Sequence, residues 1–561
     1  AQAAAIVEIC RLVEGLPLAL MLAASWTRVL PCDAIARELR GGTELLRAVG
    51  AALPPRHASI ELVFDQSWRL LGEAERDALA RLSVFRGGFT AESARAVAAA
   101  SLPVLGALAD KSLLRKEGAR LSMHPLVQQL AALRLVEGEA LGSTRRAHAA
   151  HFQRLLEQQR RPVENGDRDG LRQLDAEYEN CRTAWHWAIE TDDGALLAGC
   201  ARTLHHYWDH RLAFREGLAL LGSAIESVPA RAQRRLEAYL RGAAAHFEYR
   251  LDRYAAAEAS AALGLAAAKD ARDHGSQALC LQVLGTCRYR QGRYGDALRH
   301  FRQALKQSQA DSDPRKAAAL LYNQALVEKA TGRHPEALRL FLESLAQHRR
   351  LGDVAGEALS LNGLGVLHMD REEHGQAGLH LEAGLAVCDR HGLAGPRVFI
   401  LSNLADLTLV TGDDDAALGH ARRAIEIAEA SGNRVVASMM KLTIARVAAR
   451  RGDLPAARAH LAEALDIANV IGNPSLLIEA VTTFADLLEA QGERDCARLV
   501  LAFAADHPLA SAPTRQAIRA RLGPGTAPAW PGLALEELAH RIAVEAQAGH
   551  ASLVSLLKGA R

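Results

Sequence analysis

Residues 274–313 read HGSQALCLQVLGTCRYRQGRYGDALRHFRQALKQSQADSD, and the alanine at position 297 within them decides the fold. It returns at a constant step of 40 on both sides, as Ala257, Ala337, Ala377, Ala417, Ala457 and Ala497. Five residues ahead of it most copies carry a glycine (Gly292, Gly332, Gly412, Gly452, Gly492). Twelve ahead stands a small residue: Ala245, Gly285, Ala325, Gly365, Ala405, Ala445 or Ala485. A second glycine closes the unit at Gly352, Gly392, Gly432 and Gly472. A fixed period of this length marks a solenoid. Each unit reads as two antiparallel helices whose small residues let the backbones approach. Leu281, Leu284, Tyr294 and Phe301 fill the ridges, and glycine makes the turn where a positive φ costs least. One unit cannot bury its own apolar faces, so the units must stack into a superhelix.

Composition agrees with an all-α chain. Aromatic residues are only 4% and charged residues 24% of 561 residues, a length that calls for several domains or a domain plus an array. Lys and Arg number 67 against 65 Asp and Glu, so bulk charge gives no reason to seek nucleic acid or an anionic membrane. The longest strongly apolar stretch, Leu16–Trp26, is too short to span a bilayer. Eight scattered cysteines without a CxxC read as reduced thiols in the cytoplasm. The start at Ala1, already inside a helical pattern, reads as a cut with a functional part upstream.

Five segments follow. Residues 1–52 read as helices interrupted by Gly15 and Pro17, and Leu53-Pro54-Pro55 marks a boundary. Within 53–137, helices over 59–71, 73–83, 91–100 and 102–111 lead to two extended runs, 113–116 and 120–123, around a turn at Glu117-Gly118. A last helix opens near His124-Pro125, which makes the segment a winged helix. Residues 138–195 form a polar helical spacer with a loop over 162–170. The solenoid occupies 196–507, beginning with a degenerate unit in which Gly217 replaces the recurring alanine. Residues 508–561 are a proline-marked linker and a capping helix over 534–558.

The small–Gly–Ala–aromatic–Ala spacing of Gly285, Gly292, Ala297, Phe301 and Ala304, met again in Ala325, Gly332, Ala337 and Phe341, resembles the tetratricopeptide repeat family. Glu372 and Asp252 depart from it at the turn glycine, and the 40-residue period implies longer helices than that family's common form. The resemblance implies that the first helix of each unit lines a concave face. By position its candidates are Tyr289, Tyr322, Asn323, Lys329, Asn362, Asn403, Asp406, Arg446, Asp486 and Glu489. Amides and charges in such a groove suit a peptide, protein or small-molecule inducer.

The front half carries a second resemblance. GLPLAL (Gly15–Leu20), SVFRGGFTAESA (Ser83–Ala94), LADKSLL (Leu108–Leu114), MHPLVQQLA (Met123–Ala131) and ENCRTAWHWAIE (Glu179–Glu190) occur in the order found in bacterial signal-transduction ATPases with numerous domains. In that group ADP holds a closed state, and ligand sensed by the repeats favours opening, ATP exchange and oligomerisation. Residues 1–52 would be the helical lid of an NB-ARC-like ATPase. Pro17 would pack near the adenine, and His124 would face the nucleotide phosphates. Pro125 stands where many eukaryotic members carry an aspartate, which puts the locking contact in doubt. For His124 the plain reading is a helix N-terminal residue beneath the wing.

No GxxxxGK(S/T) and no apolar run ending in paired acids occurs, so this chain lacks the phosphate cradle and is not expected to act as an enzyme or hold a cofactor. ADP or ATP belongs to the full-length protein. His205, His206 and His210 give HHxxxH without a further ligand, so no metal is expected. Asp413-Asp414-Asp415 reads as helix capping. Lys111 alone on the second winged-helix segment, with Arg115, Lys116 and Arg120 in the wing, is too little cation to make this chain a DNA binder. The sequence thus points to the sensory and regulatory part of a transcriptional regulator, with ATPase and effector domains upstream. The competing reading is a plain interaction scaffold.

Overall fold

The computed structural model describes residues 2–13, 17–28, 30–39, 63–227, 233–471, 473–508, 510, 512–522 and 534–548. Gly15, Leu53–Pro55, Gly472 and the end of the expected 534–558 helix lie outside these residues. The chain forms two compact units. The first is Ala1–Gln159 with Arg172–Cys200, and the second is Arg160–Leu171 with Ala201–Arg561.

In the first unit a helix begins at Pro17, where a missing N–H costs nothing, and runs to Ser25. Helices Glu73–Leu82, Ala91–Ala98 and Leu102–Asp110 precede a hairpin of β1 (Arg115–Glu117) and β2 (Arg120–Ser122), and helix Pro125–Glu137 follows. The strands pair antiparallel with Lys116 opposite Leu121, and Phe89 adds a bridge to Leu121. The hairpin starts later than its apolar residues suggest. Leu113 and Leu114 are buried in the core, their amides bonded back to Leu108, so the turn falls at Gly118 and Glu117 joins the strand.

The FRGGFT segment is fixed by a residue far along the chain. Gly88 has φ +86, and a Cβ there would lie 2.9 Å from the Leu121 carbonyl oxygen, so only glycine fits. The fully buried Asn180 accepts from the Arg86 amide at 2.7 Å and donates to the Gly88 carbonyl at 2.9 Å. His148 packs edge-on against Phe85 and reaches Asn180 Oδ1 at 3.3 Å.

The loop expected over 162–170 is shorter. Helix Leu141–Glu164 continues through Pro162, and helix Arg168–Glu190 starts directly after. Pro162 sits late enough that its carbonyl accepts from Asp167, Gly166 takes φ +74, and Asp167 caps the next helix through Gly170.

The second unit is the repeat array. From Gly194–His210 and Phe214–Glu226 onward, helices of similar length alternate to Arg494–Asp506, in register with the 40-residue period. Paired helices cross at the small residues. A Cβ on Gly285 would come 2.6 Å from Phe301 Cε1, and one on Gly217 would meet Phe247 at 2.6 Å. The turns keep one conformation whatever residue holds them. Gly292, Gly332, Gly412, Gly452 and Gly492 have positive φ, and so do Leu212, Asp252 and Glu372 at the equivalent places. Arg272 and Ser312 likewise adopt the positive φ of Gly352, Gly392 and Gly432. Each N-cap expected in the DDD run is realised by Asp413, which accepts from the Ala416 amide at 3.0 Å. The array returns on itself, so that Leu212 lies against Gly395, and Arg215 and Leu251 against Gly432. Within the proline-marked segment after 508, Ala512–Leu522 is a helix packed on Arg494–Asp506.

Candidate functional site: the concave face of the array

First helices of successive units pack against one another, so they line the narrow side of the superhelix. Their polar side chains are joined by a ladder with a step of 41 residues, one more than the repeat. Asp209 pairs with Arg250 at 2.7 Å, Tyr249 accepts from Arg290 at 3.2 Å, and Lys329 binds Asp370 at 3.0 Å. Asn403 donates to Asn362 at 2.7 Å, and Arg450 donates to the Leu409 carbonyl at 2.7 Å. The extra residue reflects the offset of neighbouring helices, which carries each side chain onto the next rung.

Of the residues singled out by position, Asn403 is hydrogen-bonded to Asn362, and Tyr322 packs on Phe341. Burial pushes the Tyr322 phenol up, keeping it a neutral donor. Asp406 accepts from Thr443 at 2.9 Å. Arg446 donates to Thr483 at 3.0 Å and stands 3.4 Å from Asp486 and 3.8 Å from Glu479. Burial raises the Asp406 carboxyl, and burial together with Asp406 pushes Glu479 up to about 7. Tyr289 and Asn323 are half-buried on the same helices, with Tyr289 against Tyr294. Glu489 is exposed and, with Asp486, binds Arg521 of the Ala512–Leu522 helix.

Periodicity alone did not mark the polar centre of the first units. Tyr239 OH meets His205 Nδ1 at 3.0 Å, His205 Nε2 meets His246 Nδ1 at 3.0 Å, and His246 lies 3.9 Å from Asp209. Burial holds His246 down to about 4 and His205 well below the usual imidazole range, so both are neutral at neutral pH. The signal was present in pairs such as Asp209 and Arg250, spaced 41 apart. Among the described residues no group of three potential ligands gathers as a metal site, HHxxxH included.

In the first unit His124 caps helix Pro125–Glu137, its Nδ1 accepting from the Leu126 amide at 3.2 Å, and burial, then Arg115, lowers its pKa. Pro17 opens its helix. Lys111 is bound to Glu75 at 2.6 Å, and Arg120 to Glu177, so two of the wing-region cations are already neutralised within the unit. The buried thiols of Cys200, Cys280, Cys287 and Cys388 are pushed up to about 12, which leaves them unreactive. Among the described residues no helix is long and apolar enough to cross a membrane.

Fold and concave face together define an all-α repeat solenoid of the tetratricopeptide kind. Residues 316–390 match the model of the tetratricopeptide repeat. Relatives in Mycobacterium bovis and Mycobacterium tuberculosis, each named "Putative HTH-type transcriptional regulator", are 31% identical over 236 residues. That match covers 40% of this chain and 26% of theirs, so the chain spans about a quarter of those proteins. The fold is shared with the crystal structure of a signal transduction ATPase with numerous domains (STAND) protein with a tetratricopeptide repeat sensor from Pyrococcus horikoshii. The TM-score is 0.51 at 15% identity, over 87% of this chain and 72% of that one.

Proposed function

We propose that this chain is the sensory and regulatory portion of a nucleotide-switched signalling ATPase that controls transcription, and that its concave face binds the inducing ligand. In this reading 1–52 is the ATPase lid, 53–137 a winged helix, 138–195 the spacer, 196–507 the sensor, and 508–561 the cap. The observation that carries it is the ladder of half-buried polar side chains on the inner face. It presents donors and acceptors, from Tyr322 to Arg446, along a concave surface that apolar packing alone would not require. The names of the mycobacterial relatives and the sensor of the archaeal protein with this fold support the regulatory part.

The ADP or ATP would be held by an upstream ATPase core, with Pro17 near the base and His124 toward the phosphates. His124 Nε2 is the ring nitrogen not used in capping, and it is available for that contact. The protein would work in the cytoplasm, and its partners would be a peptide, protein or small-molecule inducer and the upstream effector domain.

The test uses the longest natural protein that contains this chain. Its mass is measured by light scattering with ADP and with a non-hydrolysable ATP analogue. A nucleotide-dependent change in assembly that disappears in His124→Ala supports the switch. A protein that binds neither nucleotide would be a scaffold, and the proposal would fall.

A further inference from the structure

After each first helix the repeat places a polar residue and then a turn residue, and the first two units break this rule. The place of Leu251 is polar in every other unit, from Arg211 and Gln291 to Gln491. The place of Leu212 is glycine in five units and an acid in two. Leu212 nevertheless takes the left-handed turn, at φ 57, a conformation that strains a residue with a Cβ. Leu251 is only 8% exposed although it stands at a turn. Apolar side chains at two successive surface turns call for a cover.

The cover is the sixth unit. Leu212 Cδ2 lies 3.6 Å from where a Cβ on Gly395 would stand. For Gly432 the neighbours are Leu251 Cδ2 at 3.6 Å and the Arg215 guanidinium at 3.4 Å. The turn at Gly166 enters the same seam. A Cβ there would lie 3.1 Å from both His210 Cε1 and Leu393 Cδ2, and Asn165 donates to the Leu351 carbonyl at 3.4 Å.

Side chains on one edge thus meet glycines on the other, so the edges touch without interlocking. Neighbouring helices of the array pack along their lengths. Among the described residues, helices Phe214–Glu226 and Arg234–Arg250 share no such interface with Ala394–Thr411 or Arg434–Arg450. In a solenoid each unit is held by its neighbours, so contacts that join distant units can part while every unit stays folded.

We infer that this seam is a latch whose release parts the first two units from the sixth and widens the concave groove. Apolar burial at Leu212 and Leu251 holds it shut, and the bare glycine backbones opposite keep that hold small. As a gate for an inducer, the latch rests on the reading of the concave face as a binding surface.

The test compares hydrogen exchange, X-ray scattering and hydroxyl-radical footprinting of the ligand-free 561-residue chain and its variants. Gly395→Leu is the wedge. Leucine suits helix Ala394–Thr411 better than glycine does, so the variant strengthens its own helix while its side chain collides with Leu212. Leu251→Gln opens the seam from the other side with the residue type of Gln291 and Gln491. Both should raise the radius of gyration and speed exchange at 211–215, 249–253 and 393–397 roughly tenfold, with helix Pro314–Ala330 as protected as before. Footprinting of Tyr289 and Tyr322 on the inner face should rise with them. Gly395→Ala, whose Cβ makes only ordinary contact, should match the unaltered chain.

Unchanged dimensions and exchange in Gly395→Leu and Leu251→Gln overturn the latch. Protection lost along the whole array overturns it as well, because the contact would then belong to the folding core. A seam that opens while Tyr289 and Tyr322 keep their reactivity overturns the widening. None of these measurements involves a ligand, so the binding role of the groove can fail in the full-length protein without touching them.

Discussion

Asn180 holds the backbone of Arg86 from 94 residues away, accepting its amide hydrogen at 2.7 Å. The same side chain donates to the Gly88 carbonyl, so one amide satisfies both edges of the glycine turn that carries Phe85 and Phe89 into the core. Replacing it by alanine leaves a partly buried donor and a partly buried acceptor without this partner. Asn180→Ala should cost roughly 2–4 kcal/mol in the first unit, read from urea unfolding. A loss below about 0.5 kcal/mol, the level of an ordinary surface change, would show that the turn holds itself.

The left-handed turns yield a prediction of the opposite sign. Glu372 adopts φ 61 where other units place glycine, a conformation that strains a residue with a Cβ. Glu372→Gly should raise the melting temperature, with a gain of about 0.5–1 kcal/mol. Gly332→Ala, at φ 77, should lower it by a similar amount. Equal melting temperatures in all three proteins would place the turn strain below what matters.

At the helix crossing of the third unit the relation is steric. A Cβ on Gly285 falls 2.6 Å from the Phe301 ring, which is itself buried and unable to swing away. Gly285→Ala should therefore destabilise by about 1–3 kcal/mol. Adding Phe301→Leu should recover part of that loss in a double-mutant cycle. Strict additivity of the two changes would mean that they do not meet.

These three cases show what a single sequence exposes. Ala297 and Gly292 were legible because a close helix crossing and a left-handed turn each admit few residue types, and the period repeats the constraint. The same logic failed where the constraint is non-local. Nothing near Asn180 announces a partner at Arg86. Position places Tyr322, Asn362 and Asn403 on the groove, but the step that joins Asn362 to Asn403 is one residue longer than the repeat and does not show in the period. Pro162 reads as the start of a loop, yet it sits in the last turn of its helix, where losing one N–H donor costs little. The prolines around 508–534 hid the Ala512–Leu522 helix, and with it Arg521, which binds Asp486 and Glu489 at the end of the groove.

The two ends of the concave face should answer pH with opposite sign. His246 is held down to about 4 by burial, below the ordinary imidazole value near 6.5. Its neighbours divide, Asp209 favouring the charged ring and Arg250 and Lys316 opposing it. The unfolded chain binds more protons there between pH 4 and 6.5, so the early units lose stability as the solution is acidified through that window. Glu479 is the reverse. Burial, opposed by Arg446 and reinforced by Asp406, raises its carboxyl to about 7. The folded chain then binds more protons between the ordinary carboxyl value and pH 7, so the late units lose stability as pH rises through that range. Glutamine mimics the protonated carboxyl. Glu479→Gln should stabilise the late units by about 1–3 kcal/mol at pH 8 and by nothing below the ordinary carboxyl range. Hydrogen exchange resolved by helix can read both ends in one protein. Protection of Pro474–Ala490 that falls in Glu479→Gln at pH 8 would mean that the carboxylate is ionised in the folded state and supported by Arg446, which stands 3.8 Å away.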